Sequence, residues 1–440
     1  MKLKSIFAPI AIGAFLVVPQ LMHASCYSTY TNATTACSTA QNNTDTAAYN
    51  TYSANYQNAQ NTYNSTVAQD AVAQALTQAT CLSTLYTFTG NPQVFNDVGS
   101  CGSAVVAADQ TADNNYSQAI TACGTNDQCK CRAVVARDYS KASAADVGVK
   151  CGNDAQNVYN QCVNNSTAVQ NRSDRNANAT FINSSGVAYA TYAKTIATSD
   201  NYTAPVCNQN ASTAYANCSL DVDCGQTPAN CCADGCAKTD NSDCFAAYTA
   251  YMNSVGPAYA QYQYDSIMCG VTQNHDDYAS YAQYGYDIDM ANATYDYNRT
   301  VAWNIYQYTT SIDADQHTRD VSLCACNSTN DSQYNSCVAT ANATQVANDN
   351  NALAAYNQKN NVPPTTPTGD NWNTWNQAYT NAVNSLNAAY ATHLLTEQTC
   401  AQNTSNTYDA ICNSAGTAYN NAFNAADQKY QNCLKGCNQG

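Results

Sequence analysis

Residues 49–67 read YNTYSANYQNAQNTYNSTV. In this stretch tyrosine, alanine and valine recur at intervals of three and four residues, at Tyr49, Tyr52, Tyr56, Ala59, Tyr63 and Val67. That spacing is typical of the buried seam of a coiled coil. It returns at residues 379–394 and 419–434, and alanine, the best helix former, fills many positions between. Gly and Pro number only 17 and 9, which is few for an all-β chain. The sequence therefore predicts an all-α protein.

The composition excludes several classes of protein. Of the 440 residues only 11% are charged, and 31 Asp and Glu against 16 Lys and Arg give a net charge of −15. This sign disfavours nucleic-acid binding. Glu397 is the only glutamate, and the histidines beyond residue 24 are His275, His317 and His393, without a nucleophile motif. We therefore expect no enzymatic activity, catalytic residue, cofactor or resident metal.

The first 24 residues have the layout of a secretory signal peptide. Lys2 and Lys4 precede an apolar run over residues 6–18, and Ala24 is the expected cleavage site. The run is short for a membrane span, and no later segment is apolar enough for one. We expect a protein that is secreted, extracellular or on the cell surface, or periplasmic if the host is bacterial.

All 24 cysteines follow the leader, and an exported chain with an even, high cysteine count indicates a disulfide framework. Ten residues separate the cysteines in the pairs 26/37, 151/162, 207/218 and 326/337, and eleven separate those in the pair 400/412. A tyrosine recurs within these units, at Tyr159, Tyr215, Tyr334 and Tyr408, so we interpret them as an internal repeat. The disulfide candidates are Cys26, Cys37, Cys151, Cys162, Cys207, Cys218, Cys224, Cys231, Cys232, Cys236, Cys244, Cys326, Cys337, Cys400, Cys412, Cys433 and Cys437.

Helix geometry limits how these cysteines pair. Eleven residues of continuous helix span about 16 Å, whereas a disulfide needs Cα atoms about 4.4–6.8 Å apart. Either the intervening stretch turns back, or each cysteine is bonded to a neighbouring element. The connectivity stays open.

The predicted fold is a set of disulfide-stapled antiparallel helical hairpins, a coiled-coil-like bundle with a small Cys-rich loop knot at residues 218–244. A helix should end or kink at Gly256-Pro257. The predicted regions are a signal peptide (1–24), a helical Ala/Tyr region (25–150), a Cys-Tyr repeat region with the knot (151–245), a helical region (246–360), a Pro-rich linker (361–370) and a C-terminal helical hairpin (371–440). Because seams of alanine bury little area, disulfides should dominate the stability.

Two further patterns concern ligands and modification. Cys232 and Cys236 have zinc-ligand spacing, and Cys224 and Cys244 could complete a set of four, but an exported chain favours disulfides. Eighteen Asn-x-Ser/Thr sequons indicate either dense N-glycosylation or enrichment of uncharged polar residues for solubility. The glycosylation candidates are Asn164, Asn178, Asn201, Asn210, Asn292, Asn327 and Asn342.

Two functions are compatible with these patterns. The first is an exported structural or cell-surface scaffold that self-associates into an extracellular array or filament. The second is a binding module for a cationic extracellular protein. The stretch from Cys326 to Tyr356 resembles the pattern of small exported lysozyme inhibitors, which carry a cysteine pair about ten residues apart ahead of a helix with Leu, Asn and Tyr. The residues that carry this resemblance are Cys326, Cys337, Asn351, Leu353 and Tyr356. That resemblance implies a lysozyme-like hydrolase as the partner, attracted by the acidic surface.

Overall fold

The computed structural model describes residues 19–93, 98–226, 231–360 and 369–437, with side chains from 24 onward except 222–226. These residues form seven α-helices and one π-helical segment, and no strand is found among them, which confirms the all-α prediction. The elements are α1 (Pro19–Thr89), α2 (Gly99–Cys123), α3 (Asp127–Thr198), the π segment (Ser199–Thr203), α4 (Ala204–Gln226), α5 (Cys231–Asn327), α6 (Asp331–Asn360) and α7 (Asp370–Cys437).

The chain divides into two compact units. Unit 1 consists of the described parts of Met1–Asn61, Phe181–His275 and His393–Gly440. Unit 2 consists of the described parts of Thr62–Thr180 and Asp276–Thr392. Each unit is therefore assembled from segments that are distant in the sequence.

In unit 1, α1 packs on α3 and α4. These two helices pack on α5, and α5 packs on α7. The ring of Tyr52 on α1 packs against that of Tyr192 on α3, tilted by 34° and with ring centroids 5.5 Å apart. Lys194 Nζ on α3 donates to Gln261 Oε1 on α5 at 2.6 Å. Cys269 on α5 is bonded to Cys400 on α7. Further contacts between each pair of helices run in opposite sequence order, so neighbouring helices are antiparallel.

In unit 2, α3 contacts α1 and α2, and α5 contacts α3, α6 and α7. Gln74 donates to Thr167 across α1 and α3, and Lys141 pairs with Asp113 across α3 and α2. On α5, the backbone carbonyl of Tyr297 accepts from Asn157 of α3. The α6 and α7 contacts to α5 are His317–Asn342 and Asn292–Trp375. These antiparallel contacts agree with the predicted helical hairpins.

The helix interfaces are built from very small side chains. Apart from Leu85, the buried apolar side chains of the described residues are all alanine or cysteine, and Ala168, Ala190 and Ala282 are completely buried. A side chain at Gly186 would place its Cβ 2.5 Å from Val271 Cγ2, so α3 and α5 approach each other there because glycine has none. The thin core predicted from the scarcity of Leu, Ile and Val is present.

The helices are longer than the sequence suggested. Most of the predicted loop knot at 218–244 is helical, since α4 runs to Gln226 and α5 starts at Cys231. Helix α5 does not end at Gly256-Pro257, and α7 is one helix where a hairpin was predicted. Tertiary packing along a continuous alanine seam outweighs local helix-breaking residues such as Pro257, which lacks a backbone N–H. The boundaries predicted near 150 and 245 fall within α3 and α5, and residues 361–368 of the predicted linker lie outside the described residues.

The π segment has a local cause. Pro205 lacks an N–H and cannot donate to the carbonyl of Asn201 four residues before it. The Ser199–Thr203 turn accordingly adopts wider, i to i+5 hydrogen bonding before α4 continues.

Candidate functional site: the cross-linked helix seams

Ten disulfides between described cysteines each join two different helices. In unit 1 they are Cys26–Cys218, Cys37–Cys207, Cys232–Cys437, Cys236–Cys433 and Cys269–Cys400. In unit 2 they are Cys81–Cys162, Cys101–Cys151, Cys123–Cys129, Cys131–Cys326 and Cys324–Cys337. Their Cα–Cα distances, 5.4–6.0 Å, are normal for disulfides.

The repeated cysteine spacing matches the geometry of antiparallel helices. Cys26 and Cys37 of α1 are bonded to Cys218 and Cys207 of α4, in reverse order. Eleven residues are about three helical turns, so both cysteines of a pair lie on the same face of their helix. Of the two arrangements left open by the sequence, bonding to a neighbouring element is the one observed.

Two disulfide candidates are wrong. Cys244 and Cys412 are free thiols. The Cys236–Cys433 and Cys269–Cys400 bonds set the register of α5 and α7, and this register places Cys244 and Cys412 about 13 residues, or roughly 20 Å, apart along the helices. An even cysteine count therefore did not ensure that every cysteine has a partner within reach. Cys231 is disulfide-bonded, and the Cys224 side chain lies outside the described side chains.

The Cys244 thiol is not a reactive one. Burial and then the nearby carboxylates of Asp240, Asp243 and Asp427 together raise its pKa to about 11, and the thiol donates to Asp240 Oδ1 at 3.7 Å. Since the thiolate is the nucleophile and metal ligand, Cys244 is inert at neutral pH.

The repeat tyrosines occupy different environments. Tyr215 packs on Tyr30 beside the Cys26–Cys218 bond, with centroids 5.5 Å apart, and Tyr408 packs on Tyr262 at 5.1 Å. Tyr159 lines a cavity together with Cys162, whereas Tyr334 is 37% exposed. Burial, followed by the neighbouring Cys412 thiol, raises the pKa of Tyr408, so its hydroxyl remains protonated. Three of the four tyrosines thus pack at helix seams.

Unit 2 contains two pairs of facing aspartates. Asp70 of α1 faces Asp174 of α3, and Asp146 of α3 faces Asp315 of α5. At least one carboxyl oxygen of each of these four residues is buried without a hydrogen-bond partner. Burial, and then the facing carboxylate, raises the pKa of Asp174 and of Asp315. Sequence reasoning missed these pairs, because their members are more than 100 residues apart.

An apolar cavity of about 510 Å³ lies between α1 and α3 in unit 2. Leu85, Phe88 and Val158 line it together with the Cys81–Cys162 disulfide. Its charged lining residues, Lys150 and Asp154, are paired with each other at 2.5 Å, and no histidine lines it.

Six of the seven glycosylation candidates are exposed, and Asn178 is half-buried. The side chain of Asn292 accepts a hydrogen bond from Trp375, and that of Asn327 accepts one from Arg132. The side chain of Asn342 is hydrogen-bonded to His317. The exposed sequons are Asn164, Asn201, Asn210, Asn292, Asn327 and Asn342.

The cysteines on which the inhibitor resemblance rests are not bonded to each other. Cys326 is bonded to Cys131 of α3, and Cys337 to Cys324 of α5. No family model matches the chain, and no curated protein or solved structure is significantly similar to it. Among the described residues, none of the helices has the length and apolar character needed to cross a membrane.

Proposed function

We propose that this chain is an exported structural protein of the cell surface or extracellular space, a helical scaffold whose form is maintained by disulfides. The observation that carries the proposal is that all ten described disulfides cross from one helix to another. Disulfides persist in oxidising compartments outside the cytosol, which supports export. With a core of alanine, such bonds supply stability that apolar burial alone does not.

Self-association extends the proposal. Val72 and Leu76 lie one helical turn apart on α1 and are 61% and 65% exposed. Leu395 on α7 is 64% exposed. Exposed aliphatic residues grouped on one helix face favour contact with another protein surface, and a second copy of the chain supplies such a surface in a homopolymer.

The test is the oligomeric state of the purified, oxidised chain lacking residues 1–24. Sedimentation velocity over a range of concentrations, with negative-stain electron microscopy of the same samples, should show concentration-dependent assembly into filaments or arrays. Leu76→Asp should reduce assembly, whereas Asp409→Asn, at an exposed position of unit 1, should not. A chain that stays monomeric at every concentration and is found in the cytosol of its native host would contradict the proposal.

A further inference from the structure

Two disulfides lie one helical turn apart between the same two helices. Near the start of α5, Cys232 and Cys236 form a C-x₃-C pair, and at the end of α7, Cys433 and Cys437 form another. Because the helices are antiparallel, Cys232 is bonded to Cys437 and Cys236 to Cys433. We refer to these four residues as the four-cysteine cluster.

Three of the four sulfur atoms of the cluster lie about as close together as the ligands of one bound metal ion, and the fourth, of Cys433, is bonded to Cys236. Cys236 Sγ lies 3.6 Å from Cys437 Sγ, in the other disulfide. The sulfurs of Cys232, Cys236 and Cys437 all lie within 4.8 Å of one another. Tetrahedral zinc with Zn–S bonds of about 2.3 Å places its sulfur ligands about 3.8 Å apart. Small side-chain rotations after the two S–S bonds open would therefore bring the sulfurs to the distances zinc requires.

The surroundings suit a soft cation with a path of entry. Cys236 is 1% exposed, so this part of the cluster is kept from water. Cys232 is exposed, so a cation can reach the cluster from solvent. Cys232 also lies in the first turn of α5, and the partial positive charge of a helix N-terminus favours a thiolate. In the part of the chain that the structure describes, no other group of three or more His, Cys, Asp or Glu side chains is close enough to hold a metal ion.

Sequence spacing pointed to different ligands. It suggested Cys224 and Cys244 as partners for Cys232 and Cys236, but Cys244 is eight residues beyond Cys236, about 12 Å along α5, and carries a raised pKa. The structure supplies the missing pair from α7, about 200 residues later in the chain.

We propose that the four-cysteine cluster, when its two disulfides are reduced, binds one thiophilic divalent cation, Zn²⁺, through four thiolates. A dithiol reductant opens each disulfide: its own two thiols become a disulfide, and two electrons and two protons pass to the protein sulfurs. Two such steps yield four thiols, and the metal then displaces four protons. This proposal goes beyond the scaffold function, since it concerns the reduced state of two of the disulfides, at one end of α5 and α7.

Cobalt is the probe, because tetrahedral cobalt thiolates absorb visible light. The full chain lacking residues 1–24 is reduced with dithiothreitol under nitrogen, freed of reductant and titrated with Co²⁺, followed by competition with Zn²⁺. One Co²⁺ per chain should bind with a tetrathiolate spectrum, and Zn²⁺ should displace it. Cys232→Ser with Cys437→Ser should weaken binding more than about 100-fold, since two ligands are lost.

The matched control removes an isolated disulfide between the same two helices. Cys269→Ser with Cys400→Ser should leave Co²⁺ binding unchanged. As a second measurement, Zn²⁺ should protect Cys232, Cys236, Cys433 and Cys437 from alkylation, detected by mass spectrometry, and leave Cys269 and Cys400 reactive. The proposal is overturned if both variants bind alike, if alkylation is uniform, or if the reduced chain unfolds and the metal neither binds nor restores its helices.

Discussion

Unit 1 and unit 2 have the same alanine seams but connect their helices differently. All five described disulfides of unit 1 close sequence separations of 131–205 residues. In unit 2 two of the five, Cys123–Cys129 and Cys324–Cys337, close separations of only 6 and 13. Long closures remove more entropy from the unfolded chain.

The two units also differ in where their arginines lie. Every arginine of the chain belongs to unit 2: Arg132, Arg137, Arg172, Arg175, Arg299 and Arg319. Several lie over tyrosine rings, such as Arg137 over Tyr116 at 4.4 Å and Arg319 over Tyr139 at 4.6 Å. The facing aspartates are also in unit 2. Unit 2 thus adds contacts of arginine with tyrosine to its five described disulfides, whereas unit 1 contains no arginine.

Full reduction of the disulfides should lower the stability more than any other change and should distinguish the two units. Each disulfide contributes about 2–4 kcal/mol, so the five long closures of unit 1 together contribute about 10–20 kcal/mol, as much as or more than a typical net stability of about 5–15 kcal/mol. We expect the melting temperature to fall by about 20–40 °C after reduction. Circular dichroism with and without dithiothreitol measures it, with thiol titration as the control. An unchanged melting curve of fully reduced chain would contradict the dominance of disulfides.

Removing disulfides with long and with short sequence separations should show whether loop length explains the difference between the two units. Replacing Cys26, Cys37, Cys207 and Cys218 by serine removes two long closures and should destabilise the protein by about 6–8 kcal/mol, because it frees α1 from α4. Replacing Cys123, Cys129, Cys324 and Cys337 removes two short closures and should cost about 4–5 kcal/mol. Urea unfolding of both variants gives the two values. Equal losses would show that loop length is not the deciding factor.

A larger residue in the alanine seam should affect both units alike. Ala190 in unit 1 and Ala168 in unit 2 are completely buried, and leucine at either position would force the helices apart. We expect about 1–3 kcal/mol of destabilisation from each change. Ala401→Leu, at an exposed position, is the control and should alter the free energy of unfolding very little. A tolerated Ala190→Leu would mean that the seam is not closely packed.

The facing aspartates should give unit 2 a small, distinct pH dependence. The pKa of Asp174 is raised in the folded chain, so its contribution to stability is present below about pH 4, the unfolded value, and is lost as the pH rises through the folded value. Asp174→Asn removes the repulsion from Asp70 and should stabilise the protein near pH 7 by less than about 1 kcal/mol.

The same substitution should flatten the pH profile of the melting temperature, whereas Asp409→Asn should leave its shape unchanged. A profile unaltered by Asp174→Asn would show that the carboxyl pair does not influence folding.

The sequence predicted part of the candidate site. The Tyr and Ala spacing correctly indicated helical seams, and helix geometry left two arrangements for Cys26 and Cys37, of which bonding to a neighbouring element is the one observed. The spacing did not indicate that Cys244 and Cys412 are free, because that depends on the register of α5 and α7. It also did not reveal that Cys433 and Cys437 join Cys232 and Cys236, since local spacing holds no information about partners 200 residues away.

Periodicity and composition by themselves determined the helical class, the small side chains at the interfaces and the need for cross-links, since these follow from local propensity and the area each side chain can bury. Tertiary structure alone decided which cysteines meet, which aspartates face each other and that α5 continues through Pro257. The physical reason is that these outcomes depend on how distant antiparallel segments are aligned, and that alignment is set by the packing of all of them together.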